Sequence, residues 1–299
     1  MADNITGGEL FGEEPVRERK GIRKGLYLLP SAFTAANVGM GYYAVMGALR
    51  GFQLLDGGTA EDVSRATAHF DNAARAIGWA ILFDALDGRI ARLTKTTTEI
   101  GIQFDSIADV LTFGIAPAVL IYAWGYGATF PEGSAAHKFG WFISFMFLMC
   151  GAFRLARFNV QATRPRTLAA GSAKVDKKSF VGLPIPAAAG LLACIVHFAP
   201  QPLALYAGNL PELYSALMII LIAILSALMV STVRYSSFKT VGAGKRSTTK
   251  AIIAIAAVGM LVWLYSRYVL LFIVGIYVAH GIVFKFLSLF RFRRPAGDA

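Results

Sequence analysis

Four aspartates stand close together in an otherwise apolar stretch: Asp84, Asp87, Asp105 and Asp109. The first two are spaced i,i+3 and the second two i,i+4, so each pair shares one face of a helix. A polar stretch around 94–99 separates two apolar segments, which makes the helices antiparallel neighbours and brings both pairs to the same end. Carboxylates gathered this way repel one another, and several stay protonated unless cations neutralise them. Ligation by Asp oxygens alone suits Mg2+ or Mn2+, and two such ions a few ångströms apart can clamp a transferring phosphate. Gly88, Ala91 and Gly101 leave room for a ligand beside the backbone. Arg92, one turn beyond Gly88, is placed to pair with phosphate. An ion-coupled transporter also buries aspartates in a membrane. The spacings, with Gly, Ala and Arg interleaved, favour phosphate chemistry.

Such residues need a scaffold that carries charge into lipid, and the composition supplies one. Of 299 residues 56% are hydrophobic and 16% charged, with mean hydropathy +0.56; soluble domains carry roughly 25% charged residues. That excludes intrinsic disorder and points to an all-α, polytopic integral membrane protein. Cys150 and Cys194 both lie in apolar runs, which excludes a disulfide scaffold or a Cys-rich zinc module. His69, His137, His197 and His280 are scattered, so a His-based metal site is not expected.

Stretches long enough to span the hydrocarbon core predict eight transmembrane helices, near 26–49, 76–95, 105–127, 139–158, 180–199, 212–234, 250–266 and 268–288. A polar tail, 1–24, precedes the membrane domain at 25–290, and a basic tail, 291–299, follows it. The first tail does not read as a cleavable signal. An even number of crossings puts both termini on one side. Of the 29 Lys and Arg, all but Arg50, Arg65, Arg75, Lys138 and Arg267 fall on that side, which the positive-inside rule makes cytoplasmic. The net charge of +11 is therefore a topology signal and an attraction to anionic lipid, not a nucleic-acid footprint.

The pattern Asp84-x-x-Asp87-Gly88-x-x-Ala91-Arg92, eight residues, then Gly101-x-x-x-Asp105-x-x-x-Asp109 resembles the signature of the CDP-alcohol phosphatidyltransferase family at every position and in both gaps. The resemblance implies a membrane enzyme, commonly a homodimer, that displaces CMP from a CDP-linked lipid with an alcohol and two divalent ions. It implies that Asp84, Asp87 and Asp105 hold the metals, with Asp109 beside them as general base. Gly88, Ala91 and Gly101 would belong to the CDP-lipid site, and Arg92 would hold the diphosphate.

Further segments resemble the membrane-embedded phosphatidylserine synthase branch. In LLPSAFTAANVGMGYYAV (28–45), Pro30, Thr34 and Asn37 match, while Ser31 stands where the branch has Asn. RLARFNVQ (154–161), GLPIPAAAG (182–190) and MVSTVRYSSFK (229–239) also look like it. The branch implies CDP-diacylglycerol and L-serine as substrates, in the cell (inner) membrane with the active site facing the cytoplasm. Thr34 and Asn37 would join the CDP-lipid site. Arg154, Arg157 and Asn159 are the candidates for the acceptor, since guanidinium suits a carboxylate or a phosphate. As positive-inside residues the two arginines are equally anchors. Pro184 and Pro186 are expected to break or kink the fifth helix, and Arg234 and Lys239 to anchor the surface. Glycerol 3-phosphate and inositol phosphate are the other acceptors to weigh.

Overall fold

The computed structural model describes residues 20–94, 99–163, 179–236 and 248–291. Among these run seven long helices: α1 (Lys20–Leu54), α2 (Ala60–Thr94), α3 (99–126), α4 (Ala135–Thr163), α5 (Ile185–Phe198), α6 (Leu210–Val230) and α7 (Thr248–Arg291). In α3, α-helical Glu99–Asp109 and Ala116–Ile121 alternate with wider π turns at Val110–Ile115 and Tyr122–Tyr126. In α7 two arms meet at a bend where Tyr265 leaves helical geometry (φ −132°, ψ 43°). Two short strands, β1 (Ser179–Val181) and β2 (Arg234–Ser236), pair antiparallel with Phe180 opposite Tyr235.

The all-α, membrane-embedded architecture is as expected, but the count of eight crossings is corrected. Five of the described helices have the length and apolar content to cross a bilayer: Ile100–Tyr126, Ala135–Val160, Ile185–Leu205, Leu210–Val230 and Ala256–Val283. The apolar character of α1 is diluted by Asn37, Tyr42, Tyr43 and several glycines. α2 starts at Ala60, well before the expected 76, and carries charge from Glu61 and Asp62 to Arg89 and Arg92. The expected segments 250–266 and 268–288 run together as α7 and supply one span between them. The parity argument for placing both termini on one side lapses with the count.

Pro184 and Pro186 start a helix instead of kinking one. Pro184 caps α5 with extended backbone (ψ 137°), and Pro186 sits in the first turn, where a missing N–H costs nothing. Gly182, just upstream, has φ +85° and donates its N–H to the Val233 carbonyl at 2.8 Å. A Cβ there would lie 2.4 Å from the Met229 carbonyl oxygen, so only glycine lets this turn press against the end of α6.

Small residues bring α1 and α2 together. Ala44, Ala48, Ala66, Ala73 and Ala80 are fully buried. Gly51 lies under the Phe70 ring, where an added Cβ would come to 2.9 Å. Helices in lipid gain little from hydrophobicity against one another, so close backbone approach has to hold them. On α1, Gly41 meets α3 the same way, with Thr112 Oγ1 2.6 Å from where a Cβ would stand. Buried Phe113, Leu120, Phe147, Leu183, Leu192 and Ile222 fill the space between α3, α4, α5 and α6. Trp79, Leu82, Phe104, Trp141, Leu217 and Ile220 are exposed, an apolar rim suited to acyl chains.

Candidate active site

The two predicted carboxylate pairs meet. α2 brings Asp84 and Asp87 toward its C-terminal end, and α3 presents Asp105 and Asp109 just before its first π turn. One carboxylate oxygen from each of Asp84, Asp105 and Asp109 lies within 4.8 Å of the others. Asp87 is buried beside them and accepts a hydrogen bond from the Thr34 hydroxyl of α1. One turn on, Asn37 is completely buried, and its backbone carbonyl accepts from the Thr112 hydroxyl at 3.3 Å. Thus α1, α2 and α3 each contribute to one polar pocket, and the glycine contact at Gly41 sets how closely α1 approaches.

Several buried polar atoms here have no hydrogen-bond partner: both side-chain amide atoms of Asn37, Oδ1 of Asp109 and Nε of Arg154. Buried polar groups are almost always satisfied in folded proteins, so a cluster of orphans marks where a ligand completes the structure. The arrangement fits a divalent cation. Oxygens ligating one Mg2+ stand about 3 Å apart in cis and about 4 Å in trans. Three carboxylates already within 4.8 Å need only side-chain adjustment to share an ion.

Of the acceptor candidates on α4, Arg154 is buried and near enough for its charge to act on Asp109. Arg157 donates to the Val230 carbonyl at 3.4 Å, which ties α4 to the end of α6. Asn159 donates from Nδ2 to the Ser106 hydroxyl at 2.8 Å, which bridges α4 and α3. Gly88 and Gly101 are both exposed, on α2 and α3 respectively. Ala91 and Arg92 lie on the last turn of α2, with side chains outside the described residues; the Arg234 side chain and Lys239 fall outside them too. Sequence reasoning missed Tyr277 on α7, which is near enough to interact electrostatically with Arg154. It stands far from every motif, in a helix that reads as plain lipid-spanning sequence.

Residues 27–222 match the family described as CDP-alcohol phosphatidyltransferase. The chain belongs to this family. Among its relatives is the CDP-diacylglycerol–serine O-phosphatidyltransferase of Helicobacter pylori (strain ATCC 700392 / 26695). It is 32% identical over 264 residues, which cover 86% of this chain and 91% of the relative. Enzymes of the same name from Methanocaldococcus jannaschii and Saccharomyces cerevisiae are 39% and 37% identical over 121 and 160 residues. Those matches cover 40% and 53% of this chain, and 48% and 50% of the relatives. In this CDP-alcohol phosphatidyltransferase the matched stretch holds every site residue contributed by α1 to α4, whereas Tyr277 lies beyond it.

Proposed function

We propose that the chain transfers the phosphatidyl group of CDP-diacylglycerol to L-serine and releases CMP. The observation that carries this reading is the convergence of Asp84, Asp105 and Asp109 at one point, next to buried Arg154. Relatives named for the serine reaction, one of them spanning nearly the whole chain, support serine as acceptor.

Asp84, Asp87, Asp105 and Asp109 would hold two divalent cations, Mg2+ or Mn2+, which when bound neutralise charge on the diphosphate and on departing CMP. The chain's own residues do the rest. Asp109, whose buried Oδ1 has no hydrogen-bond partner, takes the proton of the serine hydroxyl. The serine oxygen bonds to the lipid-side phosphorus as the bond from that phosphorus to the CMP oxygen breaks, and CMP leaves with the electron pair. Arg154 receives the serine carboxylate: Arg157 is engaged by Val230, whereas the Arg154 Nε is unpartnered in the pocket. Thr34 fixes Asp87, and Asn37 offers its amide to the CDP-lipid. The displacement is direct: Cys150 and Cys194 lie outside the acidic motif, and carboxylates that would hold cations are poor nucleophiles. The pocket faces the cytoplasm. Arg89, Arg154 and Arg157 at its end of the bundle, with the basic stretch 164–178, support that orientation.

The test is an acceptor panel on the purified protein in detergent with CDP-diacylglycerol. Serine should drive CMP release, while ethanolamine, glycerol 3-phosphate and inositol phosphate should not. Release driven by ethanolamine as well as by serine would remove the carboxylate contact. Release driven only by a phosphorylated acceptor would replace serine.

A further inference from the structure

A second polar cluster lies on the other half of α2, about 20 Å along the helix from Asp84 at 1.5 Å per residue. Asp71, His197 and Ser266 come from α2, the last turn of α5 and the bend of α7. The Asp71 Oδ1 stands 2.5 Å from His197 Nδ1, and His197 Nε2 stands 2.9 Å from the Ser266 hydroxyl. Asp71 and His197 are buried, and Ser266 is half-buried. With its proton on Nδ1, the imidazole donates to Asp71 and accepts from Ser266. That is the order in which a carboxylate orients a base and the base activates a hydroxyl. Arg75 holds the other Asp71 oxygen at 2.7 Å and keeps the carboxylate in place.

Two neighbouring features give this relay a use. A crevice of about 640 Å3 is lined by Phe198, next in the chain to His197, and by Leu261, Tyr268, Val269, Leu271 and Phe272 of α7 among others. Its walls are apolar and suit an acyl chain. Ser266 also opens the second arm of α7, directly after non-helical Tyr265. The first turn after a break is where a helix leaves N–H groups unpaired, the donor type that stabilises an oxyanion.

We propose that Ser266, His197 and Asp71 form a second reactive site, in which Ser266 is the nucleophile toward carboxylic esters of lipids. His197 Nε2 takes the Ser266 proton as Oγ bonds to the ester carbonyl carbon. The carbon–alkoxy bond then breaks, and the departing alcohol takes that proton from His197. Water, activated by the same imidazole, cleaves the acyl-serine, releases the fatty acid and restores the hydroxyl. Asp71 is a positioning residue.

The test uses the full chain in detergent with a biotinylated fluorophosphonate, and separately with p-nitrophenyl octanoate. The adduct should map to Ser266 by peptide mass spectrometry on folded protein and be absent after heat denaturation. His197→Gln should slow its formation at least a hundredfold. The octanoate ester should turn over more than once per chain, and Ser266→Ala should abolish the turnover. A symmetrical gel-filtration peak reports that each variant is folded. Folded wild-type protein without a Ser266 adduct would overturn the proposal without any variant. An equal labelling rate in folded His197→Gln would also overturn it.

Discussion

The two ends of α2 carry polar clusters of opposite design. Toward the C-terminal end, Asp84 and Asp87 meet Asp105 and Asp109, four groups of one sign with orphaned atoms around them. Nearer the N-terminal end, Asp71 meets Arg75, His197 and Ser266, and each polar group has a protein partner. Unpaired like charges in a low-dielectric setting are expensive, so the first cluster is suited to binding something cationic. The second is satisfied by the protein itself and holds α2, α5 and α7 together. A buried aspartate in a membrane is thus no single signal; the sign of its neighbours separates a site that calls for a cation from one in which the protein supplies the partners.

The hardest blow to this contrast is metal removal. A chelator should bring serine-driven CMP release to background, and Mg2+ or Mn2+ should restore it; persistent release in metal-free buffer would mean that the acidic cluster is complete without a cation. Next in size is Asp109→Asn, which should lower kcat roughly a hundred- to ten-thousand-fold while CDP-diacylglycerol still binds. Near-normal turnover would remove Asp109 as the base. Arg154→Lys keeps the charge and loses the fork, so the serine KM should rise about tenfold, the worth of one charge-assisted hydrogen bond. An unchanged KM would free Arg154 from the acceptor.

Smaller effects sharpen the comparison. Gly41→Ala forces a methyl onto Thr112 and should destabilise by about 1–3 kcal/mol, seen as a lower Tm and weaker activity. Gly47→Ala, whose new Cβ would meet Ala73 at an ordinary 3.4 Å, should do much less. The gentlest test is thermal. Saturating Mg2+ should raise Tm in the wild type, by an amount equivalent to about 2.7 kcal/mol at a hundredfold excess over Kd. That shift should vanish in Asp105→Asn and survive in Asp71→Asn. Its loss in Asp71→Asn would mean that the two clusters are not independent.

The acidic pocket was legible because its information is local: i,i+3 and i,i+4 spacings survive any error in helix boundaries. Thr34 and Asn37 were reached through a resemblance, and the structure puts Thr34 on Asp87 and Asn37 one turn away. The helix count was not legible, because hydropathy cannot see that charged 60–75 continues α2 or that a bent α7 runs through both expected segments. Asp71, His197 and Ser266 also escaped. They are single residues on three distant helices, and only a histidine in the apolar run of α5 and an Asp–Arg pair at i,i+4 hinted at them.

The π turn at Val110–Ile115 begins directly after Asp109. A π turn holds one residue more than an α turn, so it shifts the phase of everything beyond it by about 100°. The acids on one side of it and buried Phe113, Ala116 and Leu120 within and beyond it are therefore set at an angle that a uniform helix cannot give. Deleting a single residue from this stretch would leave the composition and apolar length of α3 almost untouched. It would nonetheless turn the carboxylates away from Asp84 or pull the outer half out of its packing. Between relatives of this chain, a length difference in that short stretch would outweigh many substitutions elsewhere, because it changes where a whole helix points.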